Sequence, residues 1–445
     1  MPDRELSTGE PKLVANPQGL GHSLLVIVLA AFLLRLAVIT VGHTYRITPR
    51  RDHFQYGWEM GRLARSIALG QGFSSPTDLP TGPSAWAPPV YPYILTIVFK
   101  LFGIYSAASA FVILTFNSLF AALTCLTIYG IAEYIYGTAV ARAAAWTWAL
   151  FPYVIYWPVR VVWETSLSTF LLSLVLLLTL RMSDKPRSRV QWIIFGALWG
   201  LIILSNTALI SMMPFCLLWM LYRRGSQYFA GVLVCVVTAC VVVSPWIVRN
   251  YLVFDKFIFV RDNLPLELHM ANNDQSSGLW TRNEHPANDA AAMHEFQRLG
   301  EIRFMQEKRE QFQQFLREHP GKFIGFTLKR AFYFWAAPPS FTITSSGYNL
   351  EFARHTGFLL GAALAFAGLW LTVRKRKCGT FLLACFILIY PLPYYLVNPF
   401  PRYKAPIEPE MILLIVYLFW EAKKVQLRFG ASGADASSGS VGRSC

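Results

Sequence analysis

The sequence predicts an all-α fold: a polytopic transmembrane helical bundle of about ten spans, with amphipathic interfacial helices and two large outer loops. Three observations predict it. Hydrophobic residues make up 54% of the chain and charged residues 15%, where a soluble domain carries nearer a quarter charged. Mean hydropathy is +0.40. The apolar residues come in repeated, uninterrupted runs that a soluble core of this size does not need. The net charge of +15 is spread through short loops between those runs. That distribution suits topology and anionic lipid headgroups, not nucleic acid. The seven cysteines lie mostly inside apolar runs with no CxxC, and read as small core residues.

The polar stretch 1–22 reads as a cytosolic tail, and the first apolar run is long enough to stay as an anchor. Spans are expected at 23–41, 107–130, 139–157, 165–180, 192–208, 209–222, 228–248, 356–373, 380–397 and 407–421. One further run, Tyr91 to Phe102, decides the topology. It is short, opens on Pro88, Pro89 and Pro92, and contains Lys100. If it lies in the interface, the inside loops hold Arg142, Arg181, Lys185, Arg187, Arg189, Arg223, Arg224, the run 374–377, Lys423, Lys424 and Arg428. The outer short loops then hold little beyond Arg160, Arg402 and Lys404, as the positive-inside rule asks. Both ends are therefore read as inside. The first outer segment is 43–106 and the second 249–355, within a membrane domain of 23–421. The second holds a charged helical stretch from Ala290 to Glu318 and an aromatic cluster, Phe323 to Trp335, that returns to the membrane surface. The stretch 422–445 is read as a cytosolic tail, its Gly/Ser-rich end disordered.

The stretch Arg51 to Phe73 organises the chemistry. On a helix starting at Asp52, residues Tyr56, Met60, Leu63 and Ile67 form one apolar stripe, with Arg62 and Arg65 off it and Glu59 close to the line of Asp52. Such a helix lies in the membrane surface and holds Asp52 at the boundary of lipid and water. A carboxylate there serves as a general base; a helix N-cap is the competing reading. Glu164, in VRVVWETSL, sits where the chain re-enters the membrane, and is either a substrate carboxylate or a dipole-favoured helix start beside Arg160. Arg249, Arg402 and Lys404 are outer cations against the topological trend, so they either hold a phosphate or snorkel to headgroups. His53 beside Asp52 makes a weak metal pair. No GxxxxGK[ST], HExxH or nucleotide-binding glycine run occurs.

Several motifs stand in a recognisable order. GQGF closes the amphipathic stretch at Gly70 to Phe73, then come Pro88, Pro89, Tyr91 and Pro92, the Tyr136–Gly137 turn, the outer turn with Glu164, PWIVRNYLVFDKF from Pro245, and PRYKAPIEP from Pro401. Together they resemble the membrane-embedded C-type glycosyltransferases of the family-39 kind, which include the protein O-mannosyltransferases and the lipid A aminoarabinose transferases. The resemblance implies an enzyme on the outer face of the plasma (inner) membrane that uses a polyprenyl-phosphate sugar. It implies Asp52 and Glu164 as the catalytic residues, and Arg249 and Arg402 on the donor phosphate. Tyr56, Glu59, Tyr91 and Lys404 complete the candidate substrate-binding set. No cofactor is expected, and a divalent metal is left open. The partners are the lipid-linked donor, membrane lipid, and a glycan, lipid or protein acceptor. The chain departs from those relatives at Ala87, where they often have His, and at Ser205-Asn206-Thr207, where many have an Arg-Pro pair. Donor sugar and acceptor stay open. A transporter or lipid-linked sugar flippase is the alternative, and would show paired inverted halves with broken midplane helices.

Overall fold

The computed structural model describes residues 17–47, 54–185, 187–279, 284–339 and 347–437. Its helices are α1 (Pro17–Val41), α2 (Glu59–Ala68), α3 (Val90–Phe102), α4 (Ala107–Tyr136), α5 (Thr138–Leu150), α6 (Pro152–Arg160), α7 (Thr165–Met182), α8 (Arg189–Ser205), α9 (Met213–Arg224), α10 (Phe229–Phe254), α11 (Leu264–Ala271), α12 (Ala290–Leu299), α13 (Glu301–Glu318), α14 (Pro320–Ala336), α15 (Gly347–Arg374), α16 (Thr380–Leu388), α17 (Leu392–Leu396) and α18 (Glu408–Ser437). The all-α expectation holds among the described residues, where pairing is limited to one isolated bridge, Ser74 with Pro83. Helix α18 runs past 421 into the stretch read as a tail.

Among the described residues, five helical stretches are long and apolar enough to cross a membrane: Leu24–Val41, Ala107–Tyr136, Thr165–Met182, Thr207–Phe254 and Glu351–Arg374. The chain is thus a multi-pass membrane protein. Val90–Phe102, Arg189–Ser205 and Thr380–Leu396 are apolar but shorter. The run at 139–157 is cut in two, because Pro152 has no N–H to continue α5.

That cut is repaired from another helix. The freed carbonyls at the end of α5 have no water to turn to, and Arg35, fully buried on α1, donates to Ala149 O at 3.1 Å and Trp148 O at 3.4 Å. Arg35→Met should therefore lower stability by about 2 kcal/mol, the cost of orphaned buried carbonyls. A thermal melt in detergent checks this; an unchanged midpoint would assign the α5 carbonyls another partner.

Small residues set the helix spacing. On α8, Gly196 and Gly200 sit four apart, and a Cβ on either would lie 2.4 Å from Cys235 O or 2.6 Å from Val242 Cβ of α10. Their absence of a side chain lets the two helices touch backbone to backbone.

The two segments read as outer share a second, smaller core around Trp86, Leu266, Met270, Met293, Phe296, Phe304 and Met305. Arg330 of α14 is fully buried and binds this body together, donating to Tyr395 O at 2.7 Å, Ala271 O at 2.9 Å and Asn272 Oδ1 at 2.8 Å. A carboxyl pair closes the seam between the segments. Glu301 accepts the Ala85 N–H, and Asp262, whose own N–H donates to Ala85 O at 3.0 Å, has both carboxyl oxygens buried without a hydrogen-bond partner. Burial pushes Asp262 up to about 6 and Glu301 well above the usual carboxylate range, the latter further raised by Asp262. The folded state therefore holds a proton that the unfolded chain has released. Stability falls as pH rises from the ordinary carboxylate range toward the raised values, by about 1.4 kcal/mol per pH unit while one extra proton is held. Glu301→Gln keeps an acceptor for Ala85 and should flatten that fall, read as melting temperature from pH 5 to 9. A wild-type melting temperature that does not fall over that range would remove the extra bound proton.

Candidate active site

The first outer segment starts differently from the sequence expectation. The helix begins at Glu59, not Asp52, after a short 3-10 turn at Phe54–Tyr56. Gly57 breaks it, with φ +89 and no room for a Cβ, which would meet Val162 O at 2.8 Å. Glycine therefore lets this loop lie against the turn that carries Glu164. Arg62, expected off the buried stripe, is buried and paired with Asp78.

Six separated pieces of chain meet around one cavity of about 290 Å³. Its wall includes Glu59 from α2, Trp163 and Glu164 before α7, Asn206 after α8, Arg261 and Glu267 before and on α11, Tyr394 of α17, and Arg402 with Tyr403. Glu164 is 9% exposed. Its Oε1 accepts from Asn206 Nδ2 at 3.5 Å, and its Oε2 is buried without a hydrogen-bond partner. Burial pushes the Glu164 carboxyl up to about 7, against the pull of Arg402 and Arg261. Burial also raises Glu267, with Arg261 opposing.

Arg402 lies flat on Trp163, its guanidinium carbon 4.0 Å from the ring centre. Its polar contact is Tyr403 OH at 3.4 Å, and among the described residues no carboxylate sits within ion-pair range of it. Burial alone would lower this guanidinium, but Tyr403 and the carboxylates of Glu164 and Glu59 outweigh it and hold it above its ordinary value. A charged planar donor with no anion of its own faces a cavity whose carboxylates stand further off. Such a site suits a phosphate or carboxylate ligand.

Arg402 and Trp163 also line a second cavity of about 450 Å³, with Arg46, Ile47, Gln55, Tyr156 and Arg160. Asp52, with His53, falls outside the described residues.

Residues 87–248 match the family model for dolichyl-phosphate-mannose-protein mannosyltransferase. The chain is also similar in structure to the archaeal oligosaccharyltransferase AglB from Archaeoglobus fulgidus in complex with an inhibitory peptide and a dolichol-phosphate. That likeness has a TM-score of 0.53 at 14% identity and covers 96% of this chain and 53% of the other. The chain shares its fold with this oligosaccharyltransferase. The apo form of the Archaeoglobus fulgidus oligosaccharyltransferase matches similarly, with a TM-score of 0.53 at 13% identity over 92% of this chain and 52% of that one. The chain thus spans about half the length of these solved structures. ArnT from Cupriavidus metallidurans bound to undecaprenyl phosphate is similar more loosely, with a TM-score of 0.41 at 14% identity over 91% and 77% of the two chains. No curated protein matches the sequence.

Glu59, Glu164 and Arg402 of the sequence-predicted set come together at one cavity. Tyr56, Tyr91, Arg249 and Lys404 lie elsewhere. Tyr56 is buried and donates to Ser106 O at 2.7 Å and Tyr105 O at 3.0 Å. Tyr91 is buried and donates to Asn117 Oδ1 at 3.1 Å. Arg249 donates to Ser84 O at 2.7 Å and Phe73 O at 3.0 Å and stacks on Trp246, which ties α10 to the first outer segment. Lys404 turns away from Arg402 into a third, apolar cavity of about 340 Å³, its Nζ 3.8 Å from the Phe358 ring centre. Burial lowers its ammonium to about 8, with Glu408 opposing. Arg261, Glu267 and Asn263 were not singled out by the sequence. Arg261 follows the same apolar run as Arg249, and no local spacing distinguishes the two. Among the described residues no three His, Cys, Asp or Glu side chains gather as a metal cage.

Proposed function

We propose that this protein is an inverting glycosyltransferase. It moves a sugar from a polyprenyl-phosphate donor to an acceptor hydroxyl on the outer face of the plasma membrane. The carrying observation is the carboxylate-free guanidinium of Arg402, stacked on Trp163 and facing buried Glu164 across a cavity at one end of the bundle. The dolichol-phosphate bound by AglB supports a lipid phosphate as the ligand.

Arg402 and Arg261 hold the phosphate. Asp52 takes the proton of the acceptor hydroxyl as its oxygen attacks the anomeric carbon. The bond from that carbon to the phosphate oxygen breaks, and the electron pair leaves on polyprenyl phosphate. Because the ester is already activated, the leaving group needs charge stabilisation, not protonation. A single displacement inverts the anomeric carbon. Glu164 orients the acceptor or the sugar. Sidedness follows from charge. The turns at Met182 to Lys185 and Arg223 to Tyr228 meet at the far end of the bundle, where Tyr228 OH donates to Met182 O at 2.7 Å and Arg224 Nε to Ser183 O at 2.7 Å, and Cys378 joins them through Tyr134, whose OH donates to Asp184. That end carries the basic loops and is assigned to the cytosol, with ten spans in all.

The test is incubation of purified protein with a panel of polyprenyl-phosphate sugars and hydroxyl acceptors, measuring release of polyprenyl phosphate. Release coupled to sugar transfer supports the reading. Movement of intact lipid-linked sugar across liposomes without release would replace it with a transport function.

A further inference from the structure

Glu59 is connected to a histidine that the proposed chemistry does not use. His285 belongs to the second outer segment and is 4% exposed. Its Nε2 lies 3.5 Å from Glu59 Oε1. Its Nδ1 accepts the N–H of Ala287 at 3.1 Å. A ring nitrogen that accepts a backbone N–H carries no proton, so the proton of the neutral ring sits on Nε2 and faces Glu59. Trp58 and Trp86 meet the imidazole edge to face at 5.4 and 5.7 Å, which blocks ring rotation. Glu59 itself is the first residue of α2, and among the described residues its one ion-pair contact is His285.

We propose that His285 is a positioning residue that aims the Glu59 carboxylate into the cavity, where it accepts hydroxyl groups of the donor's sugar. This rests on the glycosyl-transfer reading. Charge divides the cavity. Arg261 and Arg402 supply the cations for a phosphate, whereas a carboxylate repels one and accepts only from donors such as vicinal hydroxyls. At 3.5 Å the two groups stand just beyond hydrogen-bond length, so the positioning requires them to draw together when a ligand fills the cavity. The link also couples the cavity wall to the second outer segment.

Two variants separate positioning from turn-holding. His285→Asn keeps an acceptor for the Ala287 N–H but has no donor reaching Glu59. His285→Gln keeps that donor and gives up the turn contact. Binding is read by intrinsic tryptophan fluorescence with dolichyl-phosphate mannose, and separately with sugar-free dolichyl phosphate. His285→Asn should weaken binding of the glycosylated lipid about tenfold, one charge-assisted hydrogen bond, and leave the sugar-free lipid unchanged. His285→Gln should restore most of the loss. Equal effects on both lipids, no effect of His285→Asn, or wild-type protein binding the two lipids alike would overturn the proposal. Wild-type discrimination without turnover would sink the transferase reading and leave this inference standing.

Discussion

Asp52→Asn should leave a folded protein whose turnover falls by about 10²- to 10⁴-fold, the share a general base contributes. The amide matches the carboxylate in shape and removes only its basicity, so the melting temperature should stay put. Release of polyprenyl phosphate in a single turnover reads the effect. The rival base is Glu164, whose burial-raised carboxyl near 7 sits where proton transfer is efficient. The two differ in sign with pH. If Glu164 were the base, activity would climb as pH rises through 7 and the carboxyl lost its proton, and Glu164→Gln would carry the large loss. If Asp52 is the base, that climb is not required, and Glu164→Gln acts through binding. Near-normal turnover of Asp52→Asn would remove it from the chemistry.

Arg402→Ala should cost about 10²- to 10³-fold in kcat/KM, the scale of losing one preorganised donor to a developing anion. Its structural cost should be small, since no carboxylate is left without its ion-pair partner. The side chain gives up only the Tyr403 OH and the faces of Trp163, Phe400 and Tyr403. Arg402→Lys should recover only part of the loss, because an ammonium neither forks onto a phosphate nor stacks flat on Trp163. Affinity for sugar-free polyprenyl phosphate is the direct measurement. An unchanged value in Arg402→Ala would move the phosphate site to Arg261 alone.

The architecture was largely readable because membrane insertion acts on continuous runs of sequence. Apolar stretches such as 107–130 and 165–180 became helices α4 and α7, since lipid satisfies no backbone group and each segment must bond to itself. Boundaries failed where a local conformation intervened. Gly57, with positive φ and Val162 O at its back, delayed the helix from Asp52 to Glu59. The buried pairing of Arg62 with Asp78 was equally hidden, because a period of 3.6 says which face a residue shares but not what meets that face. The site was legible in part. Glu164 and Arg402 stood out as ionisable groups at span ends, where a charge needs a reason. Arg249 and Lys404 stood out for the same reason and lie elsewhere: one binds Ser84 and Phe73 carbonyls, the other lies under Phe358.

By itself the sequence determined the helical class, the membrane setting and the presence of unusual charges at the ends of apolar runs. Those are properties of single runs and their flanks. The tertiary structure alone decided which of several equivalent outer cations reaches the cavity, and it added Arg261, Glu267 and His285 to the candidates. The cavity draws its wall from six stretches spread over more than three hundred residues, and only packing specifies which side chains of distant stretches end up facing one another.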